Sequence, residues 1–415
     1  MNVNGKFDNA ENPHRAGPFW SLVEWAFMAY TLLPVRHKLV KHDFKGLKGP
    51  FLLISTHAAF VDFAIAVRVA WPHGIHWVCS IEEFNGREVL FRHLGVIAKR
   101  KFTNDIVAVK HIIYAMRKNH AILALYPEAR FSFIGTNETI DGGLGKLAKA
   151  SHVPVVVLIC HGDFIRSPQW RKHPYSRLKL VTDAYQVVTR EEIETLPAEE
   201  VQKRIEQHFV IDDYAWQRDH KIKVTNPKRA ENIHVVLYQC PHCGQEHEMN
   251  SKGTKLWCEH CGKEYEMDVY GQFHCLNGET RFQHAPDWYH WQRANVRKEV
   301  REGRYHFEDD VYLEELVSSK AGFVRQGTVH MTQDDSGLLL KGTINGKPFE
   351  LQKPIHSMPS IHVEFNYLGR GDAIDISTMD DTWFVFPIHA KNVLTKLNFA
   401  TEELYQYHKE LNDGK

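Results

Sequence analysis

The 415-residue sequence predicts an α/β domain with a mainly parallel sheet, then a small cysteine-bearing module and a β-rich C-terminal domain. Three observations carry this prediction. Between Phe51 and Asp183, short apolar runs alternate with stretches of helical spacing, as in strand-helix-strand crossover units. Two Cys-x-x-Cys pairs follow, at Cys240/Cys243 and Cys258/Cys261. Beyond Val311, short runs recur at turn spacing and one helical stretch closes the chain. A chain this long exceeds one ordinary core, so two or three domains are expected.

Forty-three per cent hydrophobic and 25 per cent charged residues is an ordinary globular composition. Lys+Arg and Asp+Glu both number 51, so net charge predicts no partner and any electrostatic message is local. Four of the seven cysteines sit in the two pairs, which suits metal ligation in a reducing compartment better than a disulfide framework. The polar opening, with Pro13 and Pro18, predicts no cleavable signal peptide.

No stretch reaches about twenty uninterrupted apolar residues, so no spanning helix is expected. The nearest candidate is Phe19 to Leu33, short and carrying Glu24, with Trp20, Trp25 and Tyr30. A basic run follows: Arg36, His37, Lys38, Lys41, His42, Lys45 and Lys48. Such a helix beside such a run suits an interfacial anchor on anionic lipid. The alternative is a helix packed on its own domain with solvated basic neighbours.

In the α/β stretch, strands are expected at Phe51–Ser55, Ile75–Ser80, Val96–Lys99, Ala121–Tyr126, Val153–Cys160 and Leu178–Thr182. Helices are expected at Val61–Ala70, Arg87–Leu94, Asp105–Lys118 and Leu144–Ala150. Helical spacing puts Ile106, Val109, Ile113 and Met116 on one face. Arg190 to Phe209 reads as helical, with Ile193, Leu196, Val201 and Ile205 as its stripe and Pro197 starting a second helix. A further helix is expected near Asp287–Glu302.

The C-terminal strands are expected at Val311–Leu316, Gly327–Thr332, Leu338–Ile344, Lys347–Leu351, Ile361–Leu368, Ala373–Thr378 and Thr382–Pro387. Asn345-Gly346 is a hairpin signal. A helix at Lys391–Leu411 ends the chain. Seven short strands and a helix resemble, in topology, a pleckstrin-homology or GRAM-like domain. Another small barrel or sandwich has the same pattern.

Three constellations follow apolar strands and so belong at the strand ends where α/β folds hold ligands. His57 follows Phe51–Ser55, with Asp62 five positions on. A histidine takes a hydroxyl proton at neutral pH, and a carboxylate orients its ring. Glu128 and Arg130, in Tyr126-Pro127-Glu128-Ala129-Arg130-Phe131-Ser132, offer a fixed fork for an anion or polar head group. Lys99, Arg100 and Lys101 are three consecutive cations that suit a phosphate. The competing interpretations are a turn histidine, a structural ion pair and a solvated basic turn.

Taken in order, His57-x4-Asp62, Gly95-x4-Arg100, Pro127-Glu128-x-Arg130-x-Ser132 and Val153-Pro154 resemble the blocks of the glycerophospholipid acyltransferase family, the 1-acylglycerol-3-phosphate acyltransferases. The resemblance covers about Phe51 to Ile159. The family usually has Asn where this chain has Thr56, Ser where it has Ala59, Gly where it has Ala129, and Arg where it has Phe131. Glu128-Ala129-Arg130 fits a variant with Arg directly after the glycine position. The resemblance implies that His57 deprotonates an acceptor hydroxyl, with Asp62 orienting the ring. It also implies that Arg100, with Lys99 or Lys101, holds the acceptor phosphate, and that Glu128, Arg130 and Ser132 contribute to substrate binding. The donor is an acyl thioester, acyl-CoA or acyl carrier protein. The acceptor is 1-acylglycerol 3-phosphate, another lysophospholipid or glycerol 3-phosphate. The alternative of another class is a non-catalytic lipid-binding or scaffold protein.

Cys240, Cys243, Cys258 and Cys261 form two knuckles, each followed by a glycine that lets the backbone turn tightly. Four thiolates suit a closed, structural tetrahedral Zn²⁺ site, with iron as the rival. Glu246, Glu248, Glu259, Glu264 and Glu266 surround it and argue against nucleic acid. The expected organisation is an N-terminal helix and basic segment (1–50), an acyltransferase-like domain (51–225), a zinc ribbon (235–275) and a helix plus β-rich domain (285–415). The expected setting is cytoplasmic, peripheral at the inner face of the cell membrane, with the C-terminal domains as the place for a protein partner.

Overall fold

The computed structural model describes residues 11–44, 47–138, 140, 142–171, 174–175 and 178–413, so Lys45 of the basic run lies outside the described residues. The chain divides into two units. One comprises Met1–Lys99 and Asp105–Trp216, the other Arg100–Asn104 and Gln217–Lys415.

The elements of the first unit are α1 (Pro18–Leu32), β1 (His37–His42), β2 (Leu52–Ser55), α2 (Val61–Ala70), β3 (Ile75–Ser80), α3 (Glu88–His93), β4 (Ile97–Lys99), α4 (Ile106–Arg117), β5 (Ile122–Leu125), α5 (Leu144–Ser151), β6 (Val155–His161), α6 (Asp163–Arg166), β7 (Leu180–Val188), α7 (Arg190–Thr195) and α8 (Ala198–His208). The chain passes to the second unit within α9 (Asp213–Asp219). The sheet order is β1-β7-β6-β2-β5-β3-β4. From β6 to β4 every pair is parallel, β7 runs antiparallel to β6, and β1 runs parallel to β7.

Strand periodicity builds two cores. Leu52, Ile54, Val155 and Val157 face one side and join Ala108, Ile112, Ala115, Met116 and the α8 residues Val201 and Ile205. Phe51, Leu53, Val156 and Leu158 face the other and join Ala66, Val67, Val69 and Ala70 of α2. Both faces of β2 are therefore covered, as a central parallel strand requires.

Two expectations are corrected here. The inward face of α4 is Ala108, His111, Ile112, Ala115 and Met116, while Ile106 and Val109 are exposed. The small residues pack on the sheet; of the expected stripe Met116 is buried with them, Ile113 is half-buried, and Ile106 and Val109 face outward. The basic run also contains a strand, β1, which pairs with β7 in the register His37↔Leu180 to His42↔Tyr185, each partner 143 residues further along the chain. Local hydropathy carries no trace of that pairing.

In α1 the single acid, Glu24, turns inward and accepts a hydrogen bond from the Ile75 N–H at 3.1 Å. Burial pushes its pKa up to about 8. The outward positions Phe19, Leu22, Tyr30 and Leu33 are all apolar or aromatic and more than half exposed. No helix among the described residues is long and apolar enough to cross a membrane.

The second unit holds a four-stranded antiparallel sheet of β8 (Met249–Lys252), β9 (Lys255–Cys258), β10 (Glu264–Met267) and β11 (Phe273–Cys275), in the order β11-β10-β9-β8. After α10 (Ala285–Arg301) come β12 (Phe307–Ser318), β13 (Gly322–Asp334), β14 (Gly337–Ile344), β15 (Lys347–Lys353), β16 (His362–Glu364), β17 (Ala373–Ser377), β18 (Thr382–Pro387) and α11 (Leu394–Asp413). These seven strands form one antiparallel sheet, β15-β14-β13-β12-β18-β17-β16, whose edges are β15 and β16. At the β14–β15 hairpin, Asn345 and Gly346 both take positive φ, 49° and 76°, as a type I′ turn demands. Arg293 and Arg297 on α10 both donate to the Glu403 carboxylate on α11.

Candidate active site

Strand β2 lies between β6 and β5, all parallel, so the segments leaving these three strands emerge at one edge. His57 leaves β2, the Tyr126–Ser132 loop leaves β5, and His161-Gly162-Asp163 leaves β6.

His57 is held from three sides. Its Nδ1 lies 3.1 Å from Asp62 Oδ2, which also accepts the N–H groups of Ala58 at 2.8 Å and Ala59 at 3.0 Å. A carboxylate oxygen that collects two backbone N–H donors is an acceptor, so the Nδ1 of His57 carries the proton and Nε2 carries the lone pair. Asp62 is fully buried, and the His57 side chain keeps 11% exposure. The imidazole stacks on Tyr126 at 4.1 Å between ring centroids, lies 4.3 Å from Phe131, and meets the edge of Phe63 at 5.4 Å. The His57 carbonyl accepts the Ser132 N–H at 2.8 Å. Thr56 is turned away from the site, its hydroxyl accepting the Cys160 N–H of β6 at 3.0 Å.

Glu128 is buried and accepts the Glu138 N–H at 2.7 Å. Desolvation is the main cause that pushes its pKa up to about 8; the Glu138 and His57 backbone N–H groups and Arg130 offset part of it. Burial thus favours the neutral form of Glu128, in which it can donate as well as accept. Arg130 is also buried, 3.5 Å from Glu138 and stacked over Phe133 at 4.7 Å. Between them Ala129 sits at φ 54°, a left-handed conformation that favours glycine. The Ser132 hydroxyl donates to the Thr136 carbonyl and accepts the Gly135 N–H, so it is engaged in its own turn.

The basic triplet stands elsewhere in the topology. β4, which ends in Lys99, is three strand spacings from β2, roughly 14 Å at the usual spacing. Arg100 donates to Thr382 Oγ1 at 3.0 Å and to the Asp380 carbonyl at 2.7 Å. Lys101 lies 3.6 Å from the buried Asp375 carboxylate.

The β6 side adds carboxylates that the sequence reading passed over. Asp163 is fully buried, and one oxygen of it, one of Asp62 and the Cys160 sulfur lie within 4.8 Å of one another. Asp213, also fully buried, accepts the Gly162 N–H with both oxygens and lies 3.8 Å from His161 Nδ1. The signal was present: Asp163 follows an apolar strand just as His57 and Glu128 do.

In the second unit, Cys240, Cys243, Cys258 and Cys261 form one cluster, with sulfur atoms within 4.8 Å of one another. Cys240 and Cys261 are 3.7 Å apart and Cys243 and Cys258 3.8 Å. Each knuckle closes through the glycine N–H, Gly244 to the Cys240 carbonyl and Gly262 to the Cys258 carbonyl, both at 2.9 Å.

No protein-family model matches the chain, and no curated protein matches it by sequence. Among solved structures, the chain is similar to the 1-acyl-sn-glycerophosphate (LPA) acyltransferase PlsC from Thermotoga maritima. The identity is 16%, the TM-score 0.38, and the match covers 46% of this chain and 76% of that one.

Proposed function

We propose that this chain transfers an acyl group from an acyl thioester to the hydroxyl of a lysophospholipid, with 1-acylglycerol 3-phosphate as the preferred acceptor and phosphatidic acid as the product. The observation that carries this is the His57–Asp62 pair at the C-terminal edge of a parallel sheet, with Nδ1 tied to the buried carboxylate at 3.1 Å. Nε2 is left to receive a proton. In the reaction it takes the acceptor hydroxyl proton as the oxygen attacks the thioester carbonyl. The C–O bond forms, the C–S bond breaks, and the proton passes from His57 to the departing thiolate. Asp62 stabilises the imidazolium between those events. Tyr126, Phe131 and Phe63 give the imidazole an apolar surround that suits an acyl chain. Glu128 and Arg130 frame the polar part of the acceptor.

The outward apolar face of α1 supports action at a membrane surface. Phe19, Leu22, Tyr30 and Leu33 offer an interfacial face, Phe60 is exposed beside Phe27, and Arg36 and Lys38 are exposed just beyond the helix. We further propose zinc in the four-cysteine cluster. A tetrahedron with Zn–S of about 2.3 Å has edges of about 3.8 Å, which matches the Cys240–Cys261 and Cys243–Cys258 sulfur pairs. Its role is to hold the ribbon. The seven-stranded sheet with its closing helix is proposed as a pleckstrin-homology-like module for membrane or partner binding.

A second reading is a lipid-binding scaffold without turnover. It draws on Ser132 and Arg130 both being engaged within the loop. One experiment separates the two. Purified protein is mixed with anionic vesicles carrying a panel of lysophospholipids and glycerol 3-phosphate, with acyl-CoA or acylated carrier protein. Acylation of one acceptor is expected. Vesicle binding with no acylated product across the panel contradicts the enzyme and leaves the scaffold.

A further inference from the structure

We propose that Asp163 is a positioning residue of this site: its protonated carboxyl donates a hydrogen bond to Asp62 Oδ1 and thereby fixes Asp62 as the ionised partner of His57. The inference deepens the acyl-transfer reading and rests on it for its kinetic consequence.

The starting point is how donors are distributed among three buried carboxyls. Asp62 Oδ2 has three donors, His57 Nδ1 and the Ala58 and Ala59 N–H groups. Its other oxygen, Oδ1, is buried and receives no N–H or O–H. Asp213 accepts the Gly162 N–H with both oxygens and has His161 beside it. Asp163 has a single donor, its neighbour Phe164 N–H at 2.9 Å, and its Oδ2 is buried without one.

An oxygen of Asp163 lies within 4.8 Å of an oxygen of Asp62, and all three carboxyls, with Asp213, are buried. Two buried carboxylates this close, with no cation between them, disfavour double ionisation, so the pair favours holding one proton. The proton belongs on the group with fewest donors to stabilise its anion, which is Asp163. One proton on Asp163 Oδ2 satisfies both orphaned oxygens, its own and Asp62 Oδ1. Burial and the flanking Asp62 and Asp213 charges push the Asp163 pKa well above the carboxylate range.

Local structure supports a built position. Gly162 takes φ 86°, and a Cβ there would stand 3.2 Å from the Lys179 carbonyl and from the Trp216 ring. The turn that delivers Asp163 from β6 therefore depends on glycine. The other titratable groups facing this cluster are Cys160 beside Asp62, Tyr126 over His57, and His161, which links Asp213 to Asp183 at 3.6 Å. Burial pushes the Cys160 thiol and the Tyr126 phenol well above their usual ranges, so both stay neutral.

The test pairs Asp163→Asn with Asp163→Leu. An asparagine amide still donates to Asp62; a leucine does not. Asp163→Asn is expected to keep most of the parent's kcat/KM. Asp163→Leu is expected to lose about tenfold to a hundredfold, the usual worth of a hydrogen bond to a charged group. Its acidic limb of kcat/KM should move to higher pH, because an Asp62 deprived of its donor is more basic and holds the imidazolium proton more tightly. Loss in Asp163→Asn equal to that in Asp163→Leu overturns the proposal, since it makes the charge essential. So does parent-like activity with an unmoved limb in Asp163→Leu.

Carboxyl-¹³C aspartate labelling supplies a readout that needs neither turnover nor a folded variant. The parent is expected to show a protonated aspartate at pH 7, and Asp163→Asn, where folded, to lack it. A parent spectrum with every aspartate ionised overturns the proposal. A parent that acylates nothing yet shows that signal sinks the reaction and leaves the hydrogen bond standing.

Discussion

The guanidinium of Arg100 hydrogen-bonds Thr382 Oγ1 at 3.0 Å and the Asp380 carbonyl at 2.7 Å. Its neighbour Lys101 sits 3.6 Å from Asp375, a buried carboxylate on β17. These cations match a phosphate-binding block by sequence, yet both have protein partners within the second unit. Arg100→Ala should lower stability by about 1–2 kcal/mol through lost hydrogen bonds. Lys101→Ala should cost more, roughly 3 kcal/mol, because it strips a buried carboxylate of a cation. Denaturant unfolding of the two variants checks this. An unchanged midpoint with a raised KM for the acceptor assigns them to phosphate instead.

Ala129 stands at φ 54° between Glu128 and Arg130. A left-handed alanine is strained by about 1 kcal/mol, which glycine relieves after its own entropy cost is counted. Ala129→Gly should raise stability by up to about 1 kcal/mol and leave the loop's hydrogen bonds in place. A loss of stability on thermal unfolding would show that the alanine methyl packs more than the backbone strains.

Glu24 and Glu128 both have their pKa raised by burial to about 8, from 4.5. The folded state then binds more protons than the unfolded state between those values, so stability falls as pH rises from about 4.5 to about 8 and levels off above. Glu24→Gln and Glu128→Gln should each flatten that fall, by on the order of 2–4 kcal/mol. Urea midpoints at pH 5 and pH 8.5 measure it. A slope equal to the parent's in both variants contradicts the assignment.

Protein purified without chelator should carry about one zinc per chain, and Cys243→Ser should reduce that content and destabilise the second unit. Elemental analysis with thermal unfolding checks both. Full stability and no bound metal in the parent would remove zinc from the account.

The candidate site was legible where local pattern and strand direction coincide. His57 and Glu128 each follow a short apolar run, and β2 and β5 prove to be parallel neighbours. Asp163 obeys the same rule but lies outside the blocks that drew attention to His57 and Glu128. The basic triplet follows such a run too, but β4 is an edge strand, and sheet order is a long-range property that no local window contains. The same limit hid β1, whose partner lies far along the chain. The α4 face failed for a different reason: alanine scores low in hydropathy, yet Ala108 and Ala115 are the residues small enough to lie against the sheet.

The most direct test of the central claim is the turnover of His57→Ala, compared with the parent on the acylated acceptor at saturating donor. Loss of the general base predicts a fall in kcat of about 10²–10⁴-fold, with folding and vesicle binding unchanged. Parent-like turnover by His57→Ala would contradict the account, because the proton transfer it assigns to His57 would then have no need of that imidazole.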